Sequence, residues 1–283
     1  MNMKRALFLL AGLLFLTETA FSQDANFYIF LCLGQSNMDG FPGLEEQDKT
    51  LDGERFQVLA ALDFPGMGRK QGQWYAAVPP LCRPNSGIGP ADYFGRTLVA
   101  KLPPEIKVGV VVVSVPGCKI ELFQKDAYQT DAAAAPDWMA NMIREYGGNP
   151  YGRLVEMAKL AQKDGVIKGI LLHQGESNTG DADWPRKVKG VYDILLEDLS
   201  LDAENVPLLA GEVVGVDQDG LCASMNTIIA ELPETIPTAR VVSSKGCAAL
   251  PDHLHFTPAG YRELGKRYAE TMLLLLGHEP ADP

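Results

Sequence analysis

The sequence predicts an α/β fold built on a parallel sheet, because short apolar runs alternate along the chain with segments of helical pattern. Five runs are rich in apolar and β-branched residues, as expected of buried strands: 27–33, 106–115, 166–174, 206–214 and 239–245. The helical candidates are 90–101, 151–163, 183–199, 220–232 and 257–276. Strands and helices that alternate in this way form a parallel sheet, since each helix returns the chain to start the next strand.

Two long stretches, 41–86 and 120–150, interrupt this alternation. The first is rich in Gly and Pro, and the second carries a run of four alanines and a tryptophan. Long loops inside a compact α/β domain usually shape a binding site, so we expect both to border one. No linker or internal repeat divides the chain, and we expect a single domain over 23–283.

Residues 1–22 have the pattern of a signal peptide. Lys4 and Arg5 precede the apolar run 6–16, and Ala20-Phe21-Ser22 resembles a cleavage site with small residues. The run is too short to cross a bilayer comfortably, and no comparable run follows it. We therefore expect a secreted or periplasmic protein without membrane insertion.

The net charge of the chain narrows the classes of possible partner. The formal net charge of −11 disfavours nucleic acid and anionic membranes, which would repel the protein, whereas a neutral substrate such as a sugar fits. No obligate protein partner is evident.

Five cysteines follow the signal segment, so at least one cannot form an intramolecular disulfide, and the pairing of the others stays open. Cys32 lies in the apolar run FLCL and is expected in the core.

Ser36 is the candidate nucleophile. It lies in LGQSNMDG, directly after the first predicted strand, and open α/β sheets place their sites at the carboxyl ends of strands. A serine hydroxyl needs a base within hydrogen-bond reach, and that base is oriented by an acid. A serine in a loop is by itself far more often a turn residue.

Asp252 and His255 supply the acid and the base. They are three residues apart in PDHLHFTPAGY, just before the last predicted helix, so that one turn presents both side chains. Taken alone, Asp252 or Thr257 could simply cap that helix. The combination with Ser36 favours catalysis, and the competing base His253 is expected to point away and to be structural.

A serine esterase also needs donors that stabilise a tetrahedral oxyanion. The backbone N–H of Ser36 is the first candidate. Gly89, in the GIGP turn before a predicted helix, allows a backbone N–H to approach the substrate closely. Gln174, at the end of a predicted strand in LLHQGESN, offers a side-chain amide.

The motifs GQSNM, GxGP, HQGES and DxxHF, in this order over nearly the whole mature chain, resemble the blocks of the SGNH hydrolases. The match is best with the carbohydrate esterase branch that includes acetylxylan esterases and sialate O-acetylesterases. The resemblance implies a flavodoxin-like three-layer α/β/α sandwich with a five-stranded parallel sheet, and removal of acetyl groups from sugars without a cofactor. Ser36 is then the nucleophile, His255 the base and Asp252 its orienter, with Ser36, Gly89 and Gln174 as the oxyanion hole. The wider superfamily has asparagine in a GxND pattern where this chain has Gln174. This difference favours the carbohydrate esterase branch over the rest of the superfamily.

Contacts to an acetylated carbohydrate are less specific in the sequence. Asn37 could donate to the acyl oxygen or the sugar, or close a turn on its own backbone, and Glu176 could touch the sugar or buttress its loop. The remaining candidate contacts lie in the two long loops or next to them: Lys119, Trp74 and Trp138.

Three alternatives remain open. A zinc site could be imagined from His173, Asp252, His253 and His255, but His173 alternates with Gln174 and should face the other side of the sheet, so no metal is expected. A non-catalytic carbohydrate-binding protein would use loop aromatics such as Trp74, Tyr75 and Trp138. A lipase or thioesterase of the same fold would need a large apolar acyl pocket.

Overall fold

The computed structural model describes residues 23–41, 43–51 and 53–278. Within these ranges no helix is long and apolar enough to span a membrane. The predicted signal peptide, 1–22, lies outside the described residues.

In the described part of the chain, seven strands form one sheet with the order β3-β2-β4-β1-β5-β6-β7. Their bounds are β1 Asp24–Gly34, β2 Phe56–Leu59, β3 Trp74–Ala76, β4 Lys107–Ser114, β5 Gly165–His173, β6 Leu208–Gly211 and β7 Arg240–Val242. All pairings are parallel except that between β2 and β3. The five predicted strands are confirmed, and among themselves they have the flavodoxin-like order 2-1-3-4-5.

The expected strand count of five is wrong, because β2 and β3 extend the sheet at one edge. Both lie in the stretch 41–86, which was expected to be a loop. They contain only four and three residues, and β3 is an antiparallel edge strand, so their apolar pattern is too short to distinguish from a turn-rich loop. The parallel core of the sheet is unchanged by this addition.

Helices cover both faces of the sheet. Their bounds are α1 Ser36–Asp39, α2 Pro90–Lys101, α3 Tyr128–Ala134, α4 Asp137–Glu145, α5 Pro150–Ala161, α6 Trp184–Leu199, α7 Met225–Ile229, α8 Leu232–Thr235 and α9 Pro258–Leu275. The predicted helix 220–232 is shorter than expected, because residues 221–224 and 230–231 form turns and α7 lies between them. The second expected loop, 120–150, contains α3 and α4.

Two hydrophobic cores lie on opposite sides of the sheet. Alternate residues of β1 point to opposite faces, so that Ile29 and Leu31 pack with α5 and α6, whereas Phe30 and Cys32 pack with α2 and α9. Cys32 is fully buried, as expected. These two cores make the predicted three-layer α/β/α sandwich, with the central strand β1 buried on both faces.

Candidate active site

Ser36 lies over the middle of the sheet's carboxyl edge. Gly34, the last residue of β1, pairs with Ser114 of β4 and with His173 of β5, so these three strands end at the same level. A Cβ atom at Gly34 would lie 2.0 Å from the carbonyl oxygen of His173, which explains why a glycine precedes this turn. The short helix α1 then begins at Ser36 itself.

The structure brings Ser36, His255 and Asp252 into one hydrogen-bonded chain. His255 Nε2 lies 3.0 Å from Ser36 Oγ, and His255 Nδ1 lies 2.7 Å from Asp252 Oδ2. Thr257 caps α9 by accepting a hydrogen bond from the backbone N–H of Gly260, which fixes the end of the loop that carries Asp252 and His255. This is the arrangement in which a serine hydroxyl can pass its proton to an imidazole.

Asp252 is held as a carboxylate by donors from its own loop. Burial by itself would raise the pKa of Asp252, but hydrogen bonds from the His255 ring and from the backbone N–H groups of His255 and Leu254 hold it below the ordinary value. Both backbone distances are 3.0 Å. An anion fixed in this way orients the His255 ring and favours the protonated imidazole that forms during proton transfer.

The other two histidines of the imagined metal site do not converge on His255. His253 has a left-handed backbone conformation, and its Nδ1 lies 3.2 Å from the carbonyl oxygen of Gln218, in agreement with a structural role. His173 is buried beside Tyr268. Among the described residues no group of three or more His, Cys, Asp or Glu side chains could hold a metal ion.

A cleft of about 500 Å³ opens over Ser36 and His255. Two exposed aromatic residues line it, Phe41 at 47% and Trp138 at 50% exposure. The Phe41 ring stacks at 4.5 Å from the His255 ring, measured between centroids. Sequence reasoning assigned no role to several other lining residues, which come from loops after the strand ends: Phe41, Arg83, Asn85, Gly117, Ser177 and Cys222.

A buried ion pair forms part of the cleft wall. Arg83 donates through Nε and Nη2 to the two carboxylate oxygens of Asp39, at 2.9 and 2.8 Å. Although burial alone would lower the pKa of Arg83, these contacts raise it above the ordinary value. Because Asp39 closes α1, the pair anchors the turn that carries Ser36 to the loop around Arg83.

Asn37 is not free to contact a substrate. It is fully buried, and its Nδ2 donates to Glu176 Oε1 at 2.5 Å and to the Leu254 carbonyl at 3.0 Å. Its Oδ1 accepts the Tyr261 hydroxyl at 2.6 Å. Asn37 therefore ties the turn that carries Ser36 to the loop that presents His255, which corrects the expectation that it touches the sugar or the acyl oxygen.

The structure does not bring the amide of Gln174 to the cleft. Gln174 is buried, and its Nε2 lies within hydrogen-bond distance of three oxygens, on Gln35, Asn178 and the Cys118 carbonyl. Its Oε1 accepts Trp184 Nε1 at 2.5 Å. With its donors already engaged, Gln174 holds Gln35, the residue before Ser36, and the expected direct role of Gln174 in an oxyanion hole lacks support.

Gly89 also lies behind the cleft rather than in it. A Cβ atom there would lie 2.8 Å from the Met38 carbonyl oxygen, so the glycine lets α2 pack directly on α1. Gly117, which follows β4, lines the cleft with a φ of +74°. Among the hydrogen bonds of the described residues, none uses the backbone N–H of Ser36 or Gly117. The sequence signal for this position is a Pro-Gly turn that follows the second predicted strand, 106–115.

The position of Trp74 contradicts the prediction that this residue contacts the substrate. It packs on Phe27 at 4.8 Å between ring centroids, and its Nε1 donates to Asp164, which directly precedes β5. Phe27 lies at the amino-terminal part of β1, roughly 23 Å of strand from Gly34 at about 3.3 Å per residue. Tyr75, on the same edge strand, is likewise absent from the lining of the cleft.

The remaining candidate contacts differ in position. Trp138 and Glu176 line the cleft, and Glu176 is buried there. Lys119 lies in a neighbouring depression of about 240 Å³ that shares Gly117 with the cleft. Lys119 could therefore reach only a substrate that extends beyond the cleft.

His173 gives the fold a pH dependence that is separate from catalysis. Burial lowers the pKa of His173 to about 3, from 6.5, so the folded protein holds this ring neutral. The Tyr268 hydroxyl donates to the Leu172 carbonyl, and we infer that it accepts from His173 Nδ1, at 3.2 Å. The stability from the neutral ring is complete above pH 6.5 and is lost progressively as the pH falls towards 3, because the unfolded chain then binds the proton first.

His173→Gln is therefore expected to flatten the fall of unfolding free energy between pH 6 and pH 4 by up to about 1.4 kcal/mol per pH unit, the equivalent of one proton. Urea unfolding at a series of pH values measures this slope. Leu172→Ala, which removes core volume but keeps His173, is the control and should lower stability with the wild-type slope. Equal slopes in His173→Gln and the wild type would contradict the assignment.

Comparison with known proteins places this chain in a family. The model of the carbohydrate esterases described as sialic acid-specific acetylesterases matches residues 26–274. A solved protein from Arabidopsis thaliana is similar with a TM-score of 0.66 and 20% identity, over 89% of this chain and 99% of that one. The structure of NanS is similar with a TM-score of 0.62 and 17% identity, over 90% and 99% of the two chains.

A carbohydrate acetylesterase from Xanthomonas citri has a TM-score of 0.61 and 16% identity, over 87% of this chain and 56% of that one. At these identities the solved structures show a shared fold, whereas the family model spans nearly all of the described residues. The chain is thus a carboxylic ester hydrolase that belongs to the carbohydrate esterase family of sialic acid-specific acetylesterases.

Proposed function

We propose that this esterase removes O-acetyl groups from carbohydrates through an acetyl-enzyme formed on Ser36. The observation that carries the proposal is the hydrogen-bonded chain from Ser36 Oγ through His255 to Asp252, which opens onto a cleft large enough for a sugar ring. A serine, a base and an orienting acid in this geometry perform acyl transfer on many unrelated folds.

In the first half of the reaction, Ser36 Oγ attacks the acetyl carbonyl while His255 Nε2 takes the hydroxyl proton. The tetrahedral intermediate collapses as His255 gives that proton to the departing sugar oxygen, which leaves the acetyl group on Ser36. In the second half, His255 accepts a proton from water, the hydroxide adds to the acetyl-enzyme, and collapse returns the proton to Ser36 and releases acetate. Asp252 stays ionised throughout.

The backbone N–H groups of Ser36 and Gly117 are the donors best placed to hold the oxyanion. Ser36 is the first residue of α1, where backbone N–H groups have no partner within the helix. Gly117 follows the adjacent strand β4 and lines the same cleft. Gln174 contributes indirectly, because it fixes Gln35 and with it the turn of Ser36.

The charges of the cleft favour a neutral acetylated sugar, such as acetylated xylan, over sialate. Of the described residues that line it, Arg83 is the sole Lys or Arg side chain, and its guanidinium is already paired with Asp39 and lies 3.8 Å from Glu145. A free sugar carboxylate would therefore find little uncompensated positive charge. Exposed aromatic faces, by contrast, suit the apolar face of a sugar ring.

Trp138→Ala is expected to raise KM for an acetylated oligosaccharide roughly tenfold with little change in kcat, because stacking binds ground state and transition state alike. KM for p-nitrophenyl acetate, which is too small to span the cleft, should change less. Trp138→Phe, which keeps an aromatic face, is the matched control and should recover most of the affinity. An unchanged oligosaccharide KM in Trp138→Ala would remove Trp138 from the substrate site.

The substrate is best identified by measuring acetate release from acetylated xylan, acetylated pectin, O-acetylated sialoglycans and peracetylated monosaccharides. We expect the neutral substrates to be preferred over the sialoglycans. Acetate, butyrate and octanoate esters of p-nitrophenol, assayed in parallel, test the acyl group. Preference for octanoate would replace the acetylesterase assignment with that of a lipase-like or thioesterase-like enzyme.

Export is a further part of the proposal and depends on the pattern of residues 1–22. A basic start, an apolar stretch and small residues before position 23 are typical of a signal peptide. Sequencing the amino terminus of the exported protein locates the cleavage site.

A further inference from the structure

The depression beside the cleft is a second hollow, and the proposed reaction does not use it. It has a volume of about 240 Å³ and lies between the turn after β4 and the helices α3 and α4. Gly117 belongs to the walls of both hollows, and Ser36 lines the cleft. A molecule bound over Ser36 can therefore continue past Gly117 into the depression.

Trp138 lies where the two hollows meet. It lines the cleft, whereas the next residue, Met139, lines the depression. Both side chains pack on the turn after β4, since a Cβ atom at Gly117 would lie 2.7 Å from Trp138 Cη2 and 3.1 Å from Met139 Cε. Trp138 is nevertheless 50% exposed, so part of its ring is open to a ligand. The cleft and the depression are thus neighbours along one surface, with an aromatic ring at their junction.

Two side chains of opposite charge, Lys119 and Asp131, line the depression. Within the described ranges, no hydrogen bond or ion pair engages the Lys119 ammonium or the Asp131 carboxylate. Burial and the negative charge of Glu121 raise the pKa of Asp131, while Lys119 and Lys187 act in the opposite direction. The Asp131 carboxylate has therefore lost part of its hydration without gaining a hydrogen bond, which a hydroxyl group of a ligand would supply.

The charged groups next to this pair are already satisfied. Lys187 Nζ donates to Glu121 Oε1 at 2.7 Å and to Asp181 Oδ2 at 2.6 Å. The Asn178 amide donates to the same two carboxylates, at 3.0 and 3.2 Å. Among the described residues that line the depression, this leaves Lys119 and Asp131 as the charged side chains available to a ligand.

The chemistry of the depression favours an uncharged sugar residue. Sugar hydroxyls both donate and accept hydrogen bonds, so that a carboxylate and an ammonium near each other can both bind them. Leu122 and Met139 supply apolar surface for the C–H groups of a ring. An acidic sugar would be attracted by Lys119 but repelled by Asp131, and a long acyl chain would desolvate both charges without a hydrogen bond.

We propose that the depression is a second subsite, in which Asp131 and Lys119 bind an uncharged sugar residue next to the acetylated residue over Ser36. The substrate is then a chain of neutral sugars, and an acetylated monosaccharide fills only part of the site. Because this binding acts on the ground state and the transition state alike, it lowers KM more than it changes kcat. The inference rests on the proposed function, since it assumes that the acetyl group is removed at Ser36.

The quantity that tests the subsite is kcat/KM for acetylated xylotriose divided by kcat/KM for acetylated xylose, with the acetyl group at the same position. We expect this ratio to be on the order of 20 in the wild type and to fall about fivefold in Asp131→Ala and in Lys119→Ala, since one hydrogen bond at a partly exposed site contributes roughly fivefold in affinity. Alanine is the best helix former, so Asp131→Ala keeps α3.

The matched control is Asp126→Ala. Asp126 is an exposed carboxylate in the turn before α3 and lines neither hollow, so the same loss of charge there should leave the ratio at its wild-type value. An unchanged ratio in folded Asp131→Ala and Lys119→Ala would overturn the inference. If Asp131→Ala does not fold, Lys119→Ala decides by the same criterion, because Lys119 is an exposed side chain.

Two other results would assign the depression to a different ligand and overturn the inference as well. A ratio for an oligosaccharide with an acidic side group that rises in Asp131→Ala, while the ratio for xylotriose stays the same, would indicate a site for an acidic sugar. Faster hydrolysis of p-nitrophenyl octanoate in both variants than in the wild type, again with an unchanged xylotriose ratio, would indicate a site for an acyl chain.

Failure of the underlying function gives a different result. If the wild type hydrolyses p-nitrophenyl acetate but releases acetate from neither acetylated xylose nor acetylated xylotriose, the proposed neutral carbohydrate substrate is wrong and the subsite with it. If it releases acetate from both with equal kcat/KM, only the subsite is wrong.

Discussion

Ser36→Ala is expected to lower kcat for p-nitrophenyl acetate by about 10⁴- to 10⁶-fold, the loss typical of removing the nucleophile of a serine hydrolase. The reason is geometric, since Ser36 Oγ is the hydroxyl that His255 Nε2 contacts, at 3.0 Å, and α1 holds it over the cleft. Stopped and continuous assays at saturating substrate give kcat directly.

The control for this substitution is Ser243→Ala, which removes a hydroxyl from the loop after β7. Within the described residues this hydroxyl donates to Glu212 and accepts the backbone N–H of Lys245. This variant should retain wild-type kcat. Comparable rates in Ser36→Ala and the wild type would show that another group performs the chemistry.

His255→Ala is expected to reduce kcat by about as much as Ser36→Ala, because neither residue works without the other. The double variant should lose little beyond either single variant, since a nucleophile without a base and a base without a nucleophile are equally ineffective. The measurement is kcat for the two single variants and the double variant, under identical conditions.

His253→Ala separates the two neighbouring histidines of the loop. The His253 ring contacts the Gln218 carbonyl and not Ser36, so its loss should affect stability more than kcat. A loss of activity in His253→Ala that equalled the loss in His255→Ala would show that the loop has another working arrangement. For Ser36 and His255, a double variant whose loss of kcat equals the product of the two single losses would contradict the expectation that the two residues act as a unit.

The parts of the fold that follow from long periodic patterns could be predicted from the sequence. The strand β1 contains seven consecutive apolar residues, 27–33, and β4 contains the run 108–113, whereas in β5 Lys168 separates two shorter apolar stretches. The helix α2 begins with Pro90 directly after a glycine. Burial on both faces requires such continuous runs in parallel strands. The short edge strands β2 and β3 lack this signal, because three or four residues do not establish a period.

The residues of the candidate site also fall into a group that could be predicted from the sequence and a group that could not. Ser36, Asp252 and His255 could be predicted because their chemistry requires particular residue types at the end of a strand and before a helix. The roles of Asn37, Gln174 and Gly89 could not, because a buried amide and a glycine have the same sequence appearance whether they face a substrate or a neighbouring backbone. Only the packing in the folded protein distinguishes these two cases, as the three acceptors around Gln174 Nε2 illustrate.

The position of Gly117 in the cleft was not predicted from the sequence motifs. Its sequence context, a glycine after a buried strand, is the same as that of many turns. What distinguishes it is the adjacency of β4 to β1, which brings the turn after β4 next to Ser36. Adjacency of strands is set by the topology of the sheet, and a local pattern does not contain it.

The most direct test of the account is the identity of the residue that a fluorophosphonate ester modifies. Such a reagent phosphonylates an activated serine and mimics the tetrahedral intermediate, so it reports the nucleophile, the base and the oxyanion donors together. We predict one adduct per chain, on the peptide that contains Ser36, with loss of acetate release in proportion to labelling. An adduct on another residue, or full activity after complete labelling of Ser36, would contradict the account.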